Sequence, residues 1–378
     1  MMRLCTFSSG VTLDRKGKAL IAHFPGPYGV VSTSAADGGL HRGMEYAINF
    51  QSCEGCNHKV SANYRDPRLY RRYVCEPLGV PPEKAVMMGT AANMHLAAIV
   101  SRNFEDLEVT AVVTGGVESN AGRAGDPASV VETPEGFFRL VNGRREPGTI
   151  NIMLLISKPL TDGALTRCII LATEAKTAAL QELAVNSRYS SGLATGTGTD
   201  QMIVAAPDPD DDSYRLFWAG KHVKLGELIG LAVTAAVKKT LARQNGLTPS
   251  GQCSAKIHLE RFGCTNISMK EGIVACLDEK TGELLGNNFQ AINHDPLVVA
   301  AAATLAHLQD KLSWGILPQG CRMEIMGAAA AQLACAAGGH FEKMEGYRER
   351  LGEQAESEGF LQLCWEAIAT GYVDRWSK

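Results

Sequence analysis

Two apolar, β-branched runs, Leu107–Thr114 and Ile150–Ser157, flank a long stretch rich in glycine, proline, asparagine and aspartate. This pairing limits the fold more than any other feature. A run without polar alternation reads as a strand covered on both faces. Such strands need further layers around them. The intervening residues 115–147 are too polar for a core and too long for a plain connection, so they are expected to carry function.

The neighbouring segments supply those layers. Val11–His23 reads as two short strands around the turn Asp14–Lys18, and Val30–Ser34, Glu45–Phe50, Gly136–Val141, Met202–Ala206 and Tyr214–Ala219 read as further strands. Helices are expected over Asp66–Val74, Pro82–Ser101, Thr161–Leu183 and Leu225–Gln244, with Pro81 and Pro82 marking one start and Asp162 suited to a helix dipole. Strands and helices alternate without a strict rhythm. The expected fold is therefore an α+β or α/β layered core domain with a mixed sheet, over residues 1–248. After Pro249 the sequence becomes alanine-rich, and Pro296–Gln309, Gly327–Ala337 and Phe341–Ile368 predict a mainly helical C-terminal extension over residues 249–378.

Composition narrows the function classes. Charged residues make up 20% of the chain and the net charge is -3, with both signs interspersed. No basic stripe points to nucleic acid, and no polybasic or long apolar segment points to a membrane. The eleven scattered cysteines and the absence of an export signal fit reduced thiols in a cytoplasm. Cys53, Cys56 and His58 form half of a metal motif. A structural zinc needs four ligands, and only Cys75 or His95 is at hand to complete one, so unliganded thiols and no metal site are expected.

Five constellations carry candidate chemistry. The loop after the first buried strand holds Asn120, Arg123 and Asp126 among glycines, either to bind a ligand or as a structural loop in which Arg123 and Asp126 pair. Asn151 lies inside the second apolar strand, where its amide needs a partner, in the neighbouring loop or on a substrate. In the Thr161–Leu183 helix, Glu174, Thr177 and Gln181 share a face, while Lys176 points about 160° away from Glu174. Apolar flanks predict that Glu174 is partly buried, where a raised pKa suits acid–base work. Thr195, Thr197, Thr199 and Asp200 concentrate hydroxyls, glycines and a carboxylate, fit for an oxyanion cradle or a threonine nucleophile. His222 and Glu227 open the last helix of the core domain.

The ordered strings TGGVESNAGRAGDPA (114–128), PGTINI (147–152), TEAKTAALQEL (173–183), SRYSSGLATGTGTDQ (187–201) and GKHVKLGELIG (220–230) resemble the CbiZ-type adenosylcobinamide amidohydrolase family. Ser32–Asn49 and Asp66–Pro67 are similar as well, so the resemblance covers roughly residues 10–245. It implies corrinoid salvage: hydrolysis of the amide that joins aminopropanol to a corrin propionate in adenosylcobinamide, giving adenosylcobyric acid. The partner is then a small-molecule corrinoid whose cobalt belongs to the substrate; no other cofactor is predicted, and a catalytic metal stays open. A homo-oligomer is compatible with the sequence. Motif matching carries over Asn120, Arg123, Asp126, Asn151, Glu174, Lys176, Thr195, Thr197, Thr199, Asp200, His222 and Glu227. The C-terminal extension and the Cys53 motif depart from the family pattern. They leave room for a different amide substrate or an added regulatory function; a non-catalytic corrinoid-binding or sensing protein, with the helical extension as its partner surface, is the alternative from another class.

Three mechanisms follow. In direct hydrolysis, Glu174 or Asp200 activates water, Lys176 or Arg123 stabilises the oxyanion, and His222 protonates the leaving amine. In nucleophilic catalysis, Thr195, Thr197 or Thr199 forms an acyl-enzyme. In metal-assisted hydrolysis, His222, Asp126 and Asp200 hold an ion.

Overall fold

A computed structural model of the chain describes residues 1–34, 38–52, 66–140, 148–209, 214–357 and 359–375. The chain divides into two compact units, Met1–Thr248 and Pro249–Lys378. Among the described residues, no helix is long and apolar enough to cross a membrane.

The first unit opens with β1 (Met2–Thr6), β2 (Thr12–Lys16), β3 (Ala19–Ser32) and β4 (Gly39–Gln51), then α1 (Pro67–Leu78). Next come β5 (Ala85–Thr90), β6 (Ala98–Phe104), β7 (Leu107–Gly116), the short β8 (Ala121–Gly122) and the hairpin of β9 (Val130–Thr133) with β10 (Gly136–Arg139). It ends with β11 (Thr149–Ile156), α2 (Asp162–Glu182), the short β12 (Gly196–Thr197), β13 (Gln201–Pro207) and α3 (Lys224–Asn245).

Nine strands form one mixed sheet in the order β1-β2-β3-β13-β11-β7-β6, with β4 and β5 joined on through β3. The pairs β11–β13 and β4–β5 are parallel, while β7–β11 and β3–β13 are antiparallel. The long β3 pairs along its length with β2, β4 and β13, and the sheet curls into a half-barrel. The curl brings β5 over β11, where the Asn151 side chain reaches the Gly89 carbonyl.

Every residue of β11 is buried, which accounts for its apolar run from Ile152 to Ile156. Ile150, Ile152 and Leu154 pack with α2 and α3, while Met153 and Leu155 face the inside of the half-barrel with Leu20, Met88 and Ile203. Each such side chain contributes about 1.5–3 kcal/mol by leaving water. α2 is started by Thr161, whose hydroxyl accepts the Ala164 N–H. α3 stops at Gly246, whose φ of 67° is the left-handed conformation that glycine takes at a helix end.

Two expectations for this unit fail. Pro82–Ser101 is not a helix: after one turn at Pro82–Lys84 the chain forms β5, another short turn and β6. Val86, Met87 and Met88 are consecutive and all buried, because β5 is covered on both faces and pairs with β4. Tyr214–Ala219 is not a strand either; it makes only one bridge, Leu160 to Leu216. Cys53, Cys56 and His58 lie outside the described residues, and so does most of the acidic run after Asp208. Cys75 is buried, and burial pushes its thiol up to about 11, which suits an inert core residue.

The second unit is helical, with α4 (Ala255–Leu259), α5 (Asn266–Ala275), α6 (Glu279–Asn293), α7 (Pro296–Ser313), α8 (Arg322–Gly338), α9 (Met344–Ser357) and α10 (Phe360–Arg375). The expected single segment Phe341–Ile368 is thus split between α9 and α10. Small residues on α8 have a packing reason: a Cβ added at Gly371 would stand 1.9 Å from the Ala334 carbonyl oxygen, so α8 and α10 meet backbone to backbone.

Candidate functional site

Segments far apart in sequence are joined where β7 ends and where β11 and β13 begin. β8 pairs with β12, setting Gly122 opposite Gly196 and Ala121 opposite Thr197. The second half of α2 fastens the same loop: Thr177 donates to the Thr195 carbonyl (3.0 Å) and Gln181 to the Ala194 carbonyl (3.0 Å). Thr195 Oγ1 accepts the Ala124 N–H at 2.9 Å, and Arg123 donates to the Leu193 carbonyl at 3.3 Å. Between these elements lies a cleft of about 580 Å³, lined by Asn120, Arg123, Asp126, Lys176, Tyr189 and Thr197 among others.

Asp126 is held by the Arg123 N–H (2.6 Å) and the Ser187 hydroxyl (2.6 Å). Burial pushes its carboxyl up. The hydrogen bonds from Ser187, Ser190 and the Arg123 N–H, with the Arg123 charge, more than offset this and leave it below the usual carboxylate range. The structural pairing of Arg123 with Asp126 is therefore made through backbone as well as charge.

Asp200 is not itself in the cleft lining; it lies behind Lys176, Gly196 and Thr197, which are, and binds that floor together from beneath. Its Oδ1 accepts the Ile150 N–H (2.8 Å) and the Thr197 hydroxyl (2.6 Å), and its Oδ2 accepts the Thr197 N–H (3.0 Å) and forms an ion pair with the Lys176 ammonium. These four donors match the roughly four lone-pair sites of a carboxylate, so no acceptor position remains for a separate water. Both partners are shielded, with side chains 9% and 15% exposed for Lys176 and Asp200. Gly196 is essential to this closeness: a Cβ there would lie 2.4 Å from Asp200 Oδ2 and 2.7 Å from Lys176 Nζ.

Asn151 sits deeper, fully buried. Its amide donates to Asn49 Oδ1 (3.0 Å) and the Gly89 carbonyl (2.9 Å), and Asn49 donates to Thr114 (2.8 Å). This polar network ties β4, β5, β7 and β11 together and leaves Asn151 no amide proton for a substrate. Thr199 contacts the Gly148 carbonyl (2.9 Å) and is exposed outside the cleft lining.

The rest of the predicted set lies elsewhere. Glu174 is not buried: its side chain is 45% exposed and pairs with Lys221 at 2.9 Å. The helical wheel separates Glu174 from Lys176, and it is Lys176 that turns inward, because that face packs on β12 and β13. His222 and Glu227 are exposed, and Glu227 pairs with Lys224 at 2.7 Å. Neither these two nor Glu174 lines the cleft. His222, Asp126 and Asp200 do not cluster, and among the described residues no three His, Cys, Asp or Glu side chains are placed to hold a metal ion.

Sequence reasoning missed Tyr189, Ser187 and Asn49. Tyr189 and Ser187 stand in the 187–201 segment already singled out, and Asn49 is a polar residue inside an apolar strand, the same signal that marked Asn151.

Comparison with known proteins bears on the first unit. The family model described as adenosylcobinamide amidohydrolase matches residues 5–249. An uncharacterized protein of Methanocaldococcus jannaschii is 38% identical over 189 residues, 48% of this chain and 71% of that protein. Proteins named adenosylcobinamide amidohydrolase from Methanosarcina mazei and Halobacterium salinarum are 32% and 29% identical over 158 and 139 residues, 40% and 37% of this chain. The matches span 64% and 55% of those two relatives. The matched residues hold the half-barrel from Cys5 onward, the helices α1, α2 and α3 that cover it and the whole cleft: the chain belongs to the adenosylcobinamide amidohydrolase family.

Proposed function

We propose that the chain hydrolyses the linear amide between aminopropanol and the corrin propionate of adenosylcobinamide, releasing adenosylcobyric acid in corrinoid salvage. One observation carries this reading: four of the segments through which the chain resembles the family converge on one cleft, lined by Lys176 and Thr197, which Asp200 holds from behind. A cleft of about 580 Å³ is too small for the whole corrinoid. It takes one amide-bearing arm while the macrocycle stays outside.

The geometry favours Thr197 as nucleophile. Its hydroxyl already donates to Asp200, which is oriented by Lys176 and two backbone N–H groups, the arrangement an activated hydroxyl requires. Attack of Thr197 Oγ1 on the amide carbon passes the hydroxyl proton to Asp200 and places the new negative charge on the substrate oxygen. Lys176, already paired with Asp200 and lining the cleft, is the cation available to that charge as Asp200 takes the proton. The proton then goes to the departing aminopropanol nitrogen as the C–N bond breaks. Water cleaves the resulting ester, giving the acid and restoring Thr197. Glu174 and His222, outside the cleft lining, have no part in this scheme.

Incubating the protein with adenosylcobinamide and following adenosylcobyric acid by mass spectrometry tests the activity. No product from folded protein refutes it. Thr197→Ala is expected to lower turnover at least about 10²-fold with Thr197→Ser partly active. Full activity in Thr197→Ala removes the acyl-enzyme route but leaves the hydrolysis itself standing.

A further inference from the structure

We infer that the Tyr189 ring is the surface on which the flat macrocycle of the substrate lies while its amide arm enters the cleft. This rests on the proposed corrinoid hydrolysis and names the residue that selects for the macrocycle.

Tyr189 lines the cleft, yet it is 45% exposed. An exposed aromatic side chain on a loop ordinarily keeps its rotamer freedom. This one is tied at both ends. Its N–H donates to Ser187 Oγ (3.1 Å), which itself donates to Asp126 (2.6 Å). Its hydroxyl donates to Asn120 Oδ1 (2.7 Å), and the Asn120 amide donates to the Gly148 carbonyl (2.8 Å). Beneath the ring is Gly122, where a Cβ would already touch it at 3.4 Å. The ring is thus seated against β8, the strand that pairs with Thr197.

Fixing a large side chain costs entropy, and leaving its face in water forgoes the burial that would offset that cost. The arrangement returns a benefit once a flat apolar ligand covers the exposed face, because the ring is already oriented and little further ordering is needed. The corrin macrocycle, too large for the cleft and required to stay at its mouth, is a ligand of that shape. A simple loop latch would need the hydroxyl contact to Asn120 but not the exposed ring face.

The test compares wild type, Tyr189→Phe and Tyr189→Ala in steady-state hydrolysis of adenosylcobinamide and in calorimetric binding of adenosylcobyric acid, which keeps the macrocycle but lacks aminopropanol. Tyr189→Ala is expected to raise KM and the Kd of the acid about fivefold to tenfold with kcat retained, a size typical of an aromatic stacking contact. Tyr189→Phe keeps the ring but loses its tie to Asn120, so its KM and Kd should fall between those of wild type and of Tyr189→Ala. Unchanged KM and Kd in Tyr189→Ala overturn the inference. So does a fall in kcat alone, or a Tyr189→Phe that behaves like Tyr189→Ala, since either means that the residue serves as a latch. If wild type itself neither hydrolyses adenosylcobinamide nor binds the acid, the proposed function fails instead.

Discussion

Two ion pairs on α2 differ in almost every respect, although their members on that helix are two residues apart. Glu174 meets Lys221 in the open, with side chains 45% and 63% exposed, whereas Lys176 and Asp200 meet in a shielded floor under two further backbone donors. Exposed pairs contribute about 0–1 kcal/mol, because solvent screens them and two long side chains must be ordered. Shielded pairs behave differently: losing one member leaves the other charge without water or counter-ion. The contrast teaches that residue type on a helix says little until the covered face is known.

The largest break in this comparison is Asp200→Asn. It strands the Lys176 ammonium and should destabilise the first unit by about 3–5 kcal/mol, seen in chemical unfolding followed through amide protection in β11. Turnover of adenosylcobinamide should fall about 10²–10⁴-fold. Retention of both stability and rate would place Lys176 and Asp200 among incidental contacts. Gly196→Ala comes next. Its methyl would have to displace the ion pair, a strain of about 1–3 kcal/mol, and the thermal midpoint and the rate should drop together.

Ser187→Ala has a smaller, pH-dependent effect. Asp126 is held below its ordinary range, so its contribution is present above the unfolded pKa of about 3.9 and is lost as pH falls through the folded value. Removing the Ser187 donor brings the folded value back up. The melting difference between wild type and Ser187→Ala should therefore be widest near neutral pH and close below about pH 4. A difference that widens on acidification would contradict the assignment. The smallest effect is expected for Glu174→Gln: within about 0.5 kcal/mol in stability, with turnover near wild type. A large loss there would return Glu174 to the chemistry.

Much of the fold was legible because burial leaves a direct mark on sequence. β7 and β11 are covered on both faces and therefore mainly apolar, α2 and α3 carry end signals, and the change to alanine at Pro249 coincides with the start of the helical unit. Residues 82–101 misled because consecutive buried residues such as Val86, Met87 and Met88 suit a doubly covered strand as well as a buried helix, and only the partner β4 decides. In the candidate site, residue types pointed to loops that the structure brings together around one cleft. The inward face of α2 was illegible because alanines lie on several sides of it, which leaves Glu174 and Lys176 equally plausible from sequence. Tyr189 was overlooked because an exposed loop aromatic has no periodicity to betray it.

The Asp200 carboxylate accepts the N–H groups of Ile150 and Thr197, one in β11 and the other in β12. Neither amide can be released to solvent without loosening the same acceptor. In a hydrogen-exchange experiment the two should therefore share one opening free energy and slow or quicken together across mutants, as a single cooperative unit assembled from distant stretches of chain. The cleft is then a local folding unit in its own right, with a stability that can be measured apart from that of the half-barrel that carries it.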